Sequence, residues 1–424
     1  MLKLKLHWQI LIAIITAAIV GIVADKTTTV LGVLLLDVFQ FMGTLFINAL
    51  KMIIVPLIVS SIITGVSGLG QGSALGRLGG KTLLFYALSS LLAILIGLAF
   101  VNIIEPGIEN GQPVKEQLAL SADQDALMKK VEGKSQGDIV DVFLRMVPTN
   151  IVDAATDNGQ MLGVIFFSLL FGIFMLRLDS QLADSQRGFW QGVFDTMMHM
   201  TLWVMKFAPI GVFGLVASVV MKTGFGAFVP ILKFFITVLS ALAFHMFILL
   251  PLVLKFVGRV SPVRHFKAMA PSLLTAFSSA SSSATLPLTM ECIEKNAKVS
   301  NQTSSFVLPL GATVNMDGTA LYECVAAMFI AQAYGLELSI GVQFSIVLIA
   351  LLTSIGVAGI PSASLVAISI ILGAIGLPVE AIGVLMVTDR ILDMCRTSVN
   401  VFSDSCATVV IAKSEGEDQV LATT

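Results

Sequence analysis

Long apolar runs are the feature that most limits how this chain can fold. They begin at Trp8, Thr82, Met161, Phe228 and Gly341. A helix of about 20 apolar residues crosses the hydrocarbon core of a bilayer. Only 12% of the residues are charged, whereas a soluble domain has about 25%. We therefore predict an all-α polytopic membrane protein, since the alternating segments of a membrane β-barrel are absent from the sequence.

The apolar runs predict the spanning segments of the first part of the chain. The fourth is long and is expected to be broken. We place the segments at 6–24, 34–66, 78–106, 140–184, 187–220 and 226–256.

Charged residues between these segments predict the orientation. Lys3 and Lys5 precede the first segment, and other basic residues lie in later gaps. The gap from Glu105 to Asp141 holds more acidic than basic residues. Basic loops face the cytoplasm. We therefore predict a protein of the cell (plasma or inner) membrane, with its N- and C-termini in the cytoplasm and the acidic loop outside.

After residue 256 each apolar run is interrupted by small and polar residues. The interruptions read PSLLTAFSSASSSATLPLTM from Pro271, GATVNMDGTALYE from Gly311 and SIGVAGIPSAS from Ser354. Serine and proline oppose helix propagation, and in lipid an open backbone survives only inside protein or beside a wet cavity. Interrupted segments of this kind are typical of the central site of a transporter. Close packing of small residues between helices is the alternative.

A polar stripe marks the last apolar segment. Asp389, Asp393, Arg396, Asn400 and Asp404 follow one another at steps of three or four residues, which keeps them on one face of a helix. Charged groups inside a bilayer are costly unless they are paired or face a wet cavity. The stripe is therefore predicted to face protein. The alternative is a structural ion-pair network, pairing Asp393 with Arg396 and Asp389 with the adjacent arginine at position 390.

The broken segment at Asn315 supplies partners for this stripe. Asn315 and Asp317 lie there, with backbone carbonyls that we expect Gly311 and Gly318 to free. Carboxylate, amide and carbonyl oxygens suit hard cations, so Asp404, Asn400 and Asn315 are predicted to hold a sodium-sized ion. Arg396 offers a planar fork for a carboxylate, and Asp393 is one helical turn away to take an ammonium. Together these features predict a site for an acidic amino acid.

Four segments resemble one family. SSSATLPLTM, GATVNMDGTALYE, SIGVAGIPSAS and ILDMCRTSVNVFSD closely resemble the signature segments of the glutamate/aspartate:cation symporters. These are also called dicarboxylate/amino acid:cation symporters and are related to the excitatory amino-acid transporters. KMIIVPLIVSSIITGVSGL and FAPIGVFGLVA are similar to the second and fifth helices of the family. The resemblance covers nearly the whole chain.

The resemblance implies a homotrimer that works as an elevator-type transporter in the lipid bilayer. Each protomer would have eight transmembrane helices and two re-entrant helical hairpins, with tips at Ser281–Pro287 and Gly356–Ser364. A static scaffold would contain the first, second, fourth and fifth helices, and a sliding transport domain the remainder. The implied boundaries are 1–77 and 140–220 for the scaffold, 78–106 and 221–424 for the transport domain, and 107–139 for the acidic extracellular loop.

The resemblance also implies site residues. Arg396 would bind the side-chain carboxylate of L-aspartate or L-glutamate, and Asp393 would bind the amino group. The remainder of the substrate would be held by Ser281, Ser282, Thr319, Ile360, Thr397 and Asn400. The first sodium ion would lie at Gly311, Asn315, Asn400 and Asp404, the second at Thr313, Ser354 and Ile355, and the third at Tyr86, Ser89, Ser90, Asn315 and Asp317.

Three features depart from what many family members carry. Ala280 and Met394 stand where many members have a second arginine near the substrate. Val357 stands where some have threonine. Glu323 resembles the glutamate that the proton-coupled animal members carry at this position, whereas members of the archaeal type carry glutamine there. A carboxyl group in the membrane interior is costly to ionise, so Glu323 could carry a proton with the substrate; the alternative is a glutamate paired with a neighbour.

Other functions remain open at this point. A channel would need a continuous pore lined by rings of carbonyls or charges. An intramembrane hydrolase would need a base beside a nucleophilic serine, and His245 and His265 share no motif with the serines, so we expect no enzyme. Within the same fold, the alternatives are a neutral amino-acid or C4-dicarboxylate symporter, or a member coupled to protons alone. Arg396 argues against neutral substrates, and Asp393 argues against substrates that lack an amine.

Overall fold

The chain is predominantly helical. The computed structural model describes residues 6–24, 27–30, 32–67, 73–118, 120, 144, 146–156, 161–356 and 364–421. The first helices are α1 (Leu6–Val23), α2 (Leu35–Ser67), α3 (Ser73–Ile104), α4 (Ile151–Thr156), α5 (Met161–Met175), α6 (Ser180–Met205) and α7 (Ala208–Thr223). Then follow α8 (Phe228–Phe244), α9 (Leu250–Phe256), α10 (Pro262–Ser279), α11 (Ser282–Glu291), α12 (Asn301–Val314), α13 (Asp317–Ala333), α14 (Ile340–Gly356), α15 (Ser364–Ile375) and α16 (Ile382–Ser414).

Two short antiparallel strand pairs lie between helices. Strand β1 (Thr29–Val30) pairs with β2 (Val33–Leu34), and β3 (Ile108–Glu109) pairs with β4 (Gln112–Pro113). Asn110 and Gly111 join the second pair, and both have a positive φ, as the tightest hairpin turns require. The second pair directly follows α3 and begins the predicted acidic loop, most of which lies outside the described residues.

Several helices are suited to a membrane. Within the part of the chain that the structure describes, three helices are long and apolar enough to cross it, and a fourth span results if the bent pair α6–α7 counts as one. Ile12, Ile15 and Ile19 line one side of α1 and are about half exposed. Exposed large apolar side chains in such a row suit contact with lipid. The chain is a multi-pass membrane protein in which apolar groups face outward and polar groups are enclosed.

One predicted span is wrong in detail. The segment 187–220 is not a single helix, because α6 ends at Met205 and α7 begins at Ala208 with a bend of 52°. Pro209 lies in the first turn of α7, where its missing N–H is tolerated, whereas the same proline within a continuous helix would disrupt it. The predicted segment 78–106 starts too late, since α3 already begins at Ser73.

The helices pack in two groups. In the first, α2 contacts α5, α6 and α7, and α1 lies against α7. In the second, α16 contacts α8, α10, α12 and α13, while α3 lies against α13. Gly97 of α3 lies so close to α13 that an added Cβ would be 3.0 Å from the carbonyl oxygen of Leu321. The two groups meet along α2, α7, α14 and α16.

The interrupted segments form helix pairs. The expected break at Asn315 is present: α12 ends at Val314 and α13 begins at Asp317. The first hairpin turns at Ala280, which has a left-handed φ of 50°. The implied tip at Ser281–Pro287 is therefore wrong in extent, because Ser281 caps α11 and Ser282 to Pro287 are already helical. Residues 357–363, which hold most of the second implied tip, lie outside the described residues.

Candidate functional site

The polar stripe of α16 is buried, as its spacing predicted. The exposed fraction of its five members runs from 1% at Arg396 to 7% at Asp393. Helices α8, α10, α12 and α13 surround this part of α16. An enclosed set of charged and amide groups within an apolar bundle must be satisfied by its own members or by a ligand.

Arg396 lies at the centre of one cluster. Its Nη2 donates to Asp389 Oδ1 and to Asp393 Oδ1, each at 3.0 Å. Its guanidinium carbon lies 3.9 Å from the ring centroid of Tyr322, a cation–π contact. Asp389 contacts Arg396, seven residues further along and therefore on the same face of the helix. Arg390, its partner in the alternative ion-pair network, lies about 100° around the helix from it.

A second cluster lies at the helix break. Asn315 Nδ2 donates to Asp404 Oδ1 at 2.9 Å and to Ser403 Oγ at 3.0 Å. Asn315 Oδ1 is buried and has no partner among the described residues. A Cβ added to Gly311 would be 2.5 Å from Asp404 Oδ1, so only glycine lets α12 and α16 come this close. The Gly311 carbonyl oxygen accepts the N–H of Asn315 at 2.9 Å, which uses one of its two lone pairs.

Asn400 joins the start of α13 to the stripe. Its Oδ1 accepts the Gly318 N–H at 2.8 Å, and its Nδ2 donates to Thr319 Oγ1 at 3.1 Å. Gly318 itself lies against Arg396, with a hypothetical Cβ 2.7 Å from that residue's carbonyl oxygen. The N-terminus of α13 is thus held directly beside the arginine cluster.

Asp317 forms a third cluster with hydroxyl groups. Its carboxylate accepts from Ser90 at 2.7 Å, from Ser403 at 2.6 Å and from Ser89. Nε2 of His245 lies 3.0 Å from its Oδ2. Asp317 and His245 are both fully buried. Tyr86, also expected here, instead donates to the carbonyl of Val307 at 2.7 Å.

Other expected residues are less concentrated. Ser282 and Thr397 are buried, and Thr397 Oγ1 donates to the Asp393 carbonyl at 2.8 Å. For the second sodium site, the hydroxyls of Thr313 and Ser354 donate to carbonyls of their own helices. Those contacts do not join the two residues, and only the backbone of Ile355 is described. Ile360 and Val357 lie outside the described residues.

Glu323 lies in α13, on the side facing α14. Thr353 Oγ1 donates to its Oε2 at 3.0 Å, and the residue is fully buried. Its Oε1 has no hydrogen-bond partner in the described part of the chain. Glu323 is therefore bonded to a neutral hydroxyl through one oxygen, with the other oxygen unpaired.

Sequence reasoning missed three residues of these clusters. Ser403 contacts both Asn315 and Asp317, and its position three residues after Asn400 extends the stripe. His245 is a polar residue in an otherwise apolar segment, which is itself a sign of function in a membrane. Tyr322 had no such signal, because an aromatic residue in an apolar helix is usually core.

The clusters divide by chemistry. The set around Asn315 and Asp317 contains carboxylate, amide and hydroxyl oxygens, the ligands that hard cations prefer. No group of three or more His, Cys, Asp or Glu side chains that could hold a metal ion occurs among the described residues. The set around Arg396 presents guanidinium donors and a carboxylate, which complement an acidic group and an amine.

Membrane-spanning helices around a buried cluster of charged and amide groups define a multi-pass membrane protein. Residues 6–414 match the sodium:dicarboxylate symporter family, and the chain belongs to that family. The resemblance inferred from its motifs is thereby confirmed. The family consists of symporters, so the chain is a transporter and not an enzyme.

Named relatives match over almost the whole chain. The proton/sodium-glutamate symport protein of Geobacillus stearothermophilus is 36% identical over 417 residues, covering 98% of this chain and 96% of the relative. The proton/glutamate-aspartate symporter of Escherichia coli is 35% identical over 415 residues, covering 98% and 94%. Excitatory amino acid transporter 3 of Mus musculus is 35% identical over 455 residues, covering 97% and 86%.

Proposed function

We propose that this protein is a secondary active symporter of L-aspartate and L-glutamate, driven by sodium. The observation that carries the proposal is the buried Arg396–Asp393 pair beside an oxygen-rich break at Asn315 and Asp404. Relatives named as glutamate and glutamate-aspartate symporters support the same substrate class.

Arg396 would bind the side-chain carboxylate of the substrate. Its Nε and Nη1 are buried and without partners among the described residues, so donors are free for a ligand's oxygens. Asp393 would take the ammonium group. Thr319 and Asn400, which already contact each other, would bind the remaining polar atoms together with Ser281, Ser282, Thr397 and the backbone near Ile360.

Sodium would be carried as a second cargo. The unpaired Asn315 Oδ1 beside Asp404 is an acceptor that a small cation would satisfy. A further ion would use Asp317 with Ser89 and Ser90. The proposed sets are Gly311, Asn315, Asn400 and Asp404; Thr313, Ser354 and Ile355; and Tyr86, Ser89, Ser90, Asn315 and Asp317.

The same side chains would couple the two cargoes. Asn400 touches the N-terminus of α13, next to Arg396, and also belongs to the first sodium set. A cation that holds α12, α13 and α16 in one arrangement therefore prepares the arginine cluster for substrate. Coupling of this kind is reciprocal, so substrate must strengthen sodium binding by the same factor.

A proton would travel with the substrate on Glu323. The carboxyl group is buried, is held by a neutral threonine hydroxyl and keeps one oxygen unpaired within the described contacts. Two of the bacterial relatives cited above carry the words proton and glutamate in their names.

The proposed architecture is a homotrimer of elevator-type protomers in the cell membrane, with both termini in the cytoplasm. Each protomer would have eight transmembrane helices and two re-entrant hairpins. The two packing groups support a division into a scaffold, containing α1, α2 and α5–α7, and a transport domain, containing α3 and α8–α16.

Reconstitution into liposomes tests the function. With sodium outside only, radiolabelled L-aspartate should accumulate above its outside concentration, and dissipating the sodium gradient should stop this. Varying the proton and potassium gradients one at a time identifies further coupled ions. A protein that equilibrates aspartate without concentrating it, or that concentrates serine or L-malate in preference, would contradict the proposal.

A further inference from the structure

Arg390 is a second guanidinium at the substrate cluster. Its Nη1 lies 3.4 Å from Asp393 Oδ2, while Arg396 Nη2 lies 3.0 Å from Asp393 Oδ1. The two arginines therefore approach the same carboxylate through its two different oxygens. Arg390 is 9% exposed, so this contact is largely shielded from water.

The cluster has matched charges and unused donors. Counting Asp389, Asp393, Arg390 and Arg396 in their ionised forms, the cluster holds two negative and two positive charges. The Nε of Arg390, like the Nε and Nη1 of Arg396, has no hydrogen-bond partner among the described residues. Buried donors without acceptors are costly, and carboxylate oxygens are the acceptors that guanidinium groups bind best.

The two contacts to Asp393 differ in strength. A charged N–H···O bond is normally about 2.7–2.9 Å long, and the Arg390 contact at 3.4 Å is beyond that range. The weaker contact, the one made by Arg390, is the one that an incoming ammonium can displace. The ammonium would then replace Arg390 as the second cation beside Asp393.

We propose that Arg390 is a specificity-determining residue that shares Asp393 with Arg396 and thereby sets how strongly the site demands an amino group on a dicarboxylate. This inference rests on the proposed function of the same site. With Arg390 present, the negative charge of Asp393 is balanced by a cation even when the substrate has no amino group. Without Arg390, a substrate that lacks an amine leaves excess negative charge beside its own carboxylates.

The test compares two dicarboxylates of the same size. Purified wild-type protein, Arg390→Met and Arg390→Lys are titrated in saturating sodium with L-aspartate and with L-malate, which has a hydroxyl in place of the amine. Displacement of radiolabelled L-aspartate gives both affinities. The preference for L-aspartate over L-malate should rise at least about tenfold in Arg390→Met and stay near the wild-type value in Arg390→Lys, since a tenfold change is the scale of one weakened charge contact.

A loss of folding weakens the binding of both ligands together and leaves the ratio of the two affinities unchanged. The affinity ratio therefore separates an effect on specificity from an effect on folding. An unchanged or smaller ratio in Arg390→Met overturns the inference. A ratio that rises equally in Arg390→Lys also overturns it, because the lysine keeps the charge.

A double-mutant cycle gives a second, independent measure. Arg390→Met should alter L-aspartate affinity in the wild-type background and have no effect in an Asp393→Asn background, where the shared carboxylate is gone. The same factor in both backgrounds, including no effect in either, overturns the inference. Failure of wild-type protein to bind L-aspartate would instead contradict the proposed function.

Discussion

One set of ion pairs lies in the middle of α16 and another lies just beyond its end, and their surroundings differ sharply. In the middle of the helix, Arg396 is 1% exposed and lies between Asp389 and Asp393. Just beyond the C-terminus, Glu415 pairs with Arg77 at 2.5 Å and with Lys81 at 2.6 Å, and the side chains of these basic residues are 70% and 37% exposed. The exposed ion pairs are shorter than the buried ones, which are 3.0 Å long, but they are screened by water.

This difference indicates why charged groups are buried along α16. Exposed ion pairs contribute little to stability, and buried ones often contribute no more than an apolar replacement would, because desolvation offsets their attraction. A stripe of buried charges along a membrane helix is therefore poorly explained as support for the fold. Binding a charged cargo explains it, and the substitutions below test that contrast.

The largest effect is expected for Arg396→Cys. Loss of the Arg396 guanidinium, the proposed partner of the substrate's side-chain carboxylate, should weaken L-aspartate binding about 100-fold, since charged hydrogen bonds contribute about 1.5–3 kcal/mol each. Uptake of neutral amino acids should rise relative to aspartate. Arg77→Cys at the exposed end is the matched control and should leave aspartate uptake unchanged. Equal losses of aspartate uptake in both variants would contradict the proposed difference between the buried and the exposed charges.

Asp404→Asn comes next. This substitution removes a carboxylate that contacts Asn315, so the sodium concentration for half-maximal aspartate binding should rise about tenfold or more, the range for loss of one close charge contact. Asp418→Asn, beyond the end of α16, serves as control. Sodium titrations at fixed L-aspartate decide the outcome, and an unchanged sodium requirement would remove Asp404 from the cation site.

Glu323→Gln tests whether Glu323 carries a proton with the substrate. Where one proton moves with the substrate, apparent affinity changes by up to about tenfold per pH unit. Glutamine keeps the bond from Thr353 but cannot exchange a proton, so the pH dependence of uptake should flatten while the sodium requirement remains. Uptake is measured in liposomes between pH 5 and 9. A pH profile that matches wild type would exclude Glu323 as the proton carrier.

The smallest effect is expected at the exposed end. Hydrogen bonds from Lys81 and Arg77 lower the pKa of Glu415 below its ordinary value of 4.5. A lowered pKa in the folded state means that the stabilisation is present above pH 4.5 and is lost as the pH falls through the folded-state pKa. Glu415→Gln should therefore melt about 1–2 °C lower at pH 7, and the difference should vanish in acid. A difference that persists at low pH would point to packing instead of charge.

The sequence predicted the buried stripe well because two strong rules coincide there. Steps of three and four residues define a helix face, and charges within apolar segments must avoid lipid. The break at Asn315 followed equally from local chemistry. The partners from different helices were less predictable, since they depend on how helices pack: His245, between α8 and α9, contacts Asp317 of α13.

The first hairpin shows where local rules fail. A run of serines before Pro287 argues against helix, yet Ser281 caps α11 and accepts the Ala284 N–H at 3.2 Å. A capping hydrogen bond and packing against α10 and α12 override the weak preferences of serine. Propensity is a weak guide where tertiary contacts surround a segment.

Equilibrium binding of L-aspartate to purified protein, measured by calorimetry over a series of sodium concentrations, tests the central claim most directly. Binding should be undetectable without sodium and should strengthen steeply as sodium is added, because the cation clusters and Arg396 share α13 and α16. Aspartate affinity that is independent of sodium, or equally strong in Arg396→Cys, would contradict the account.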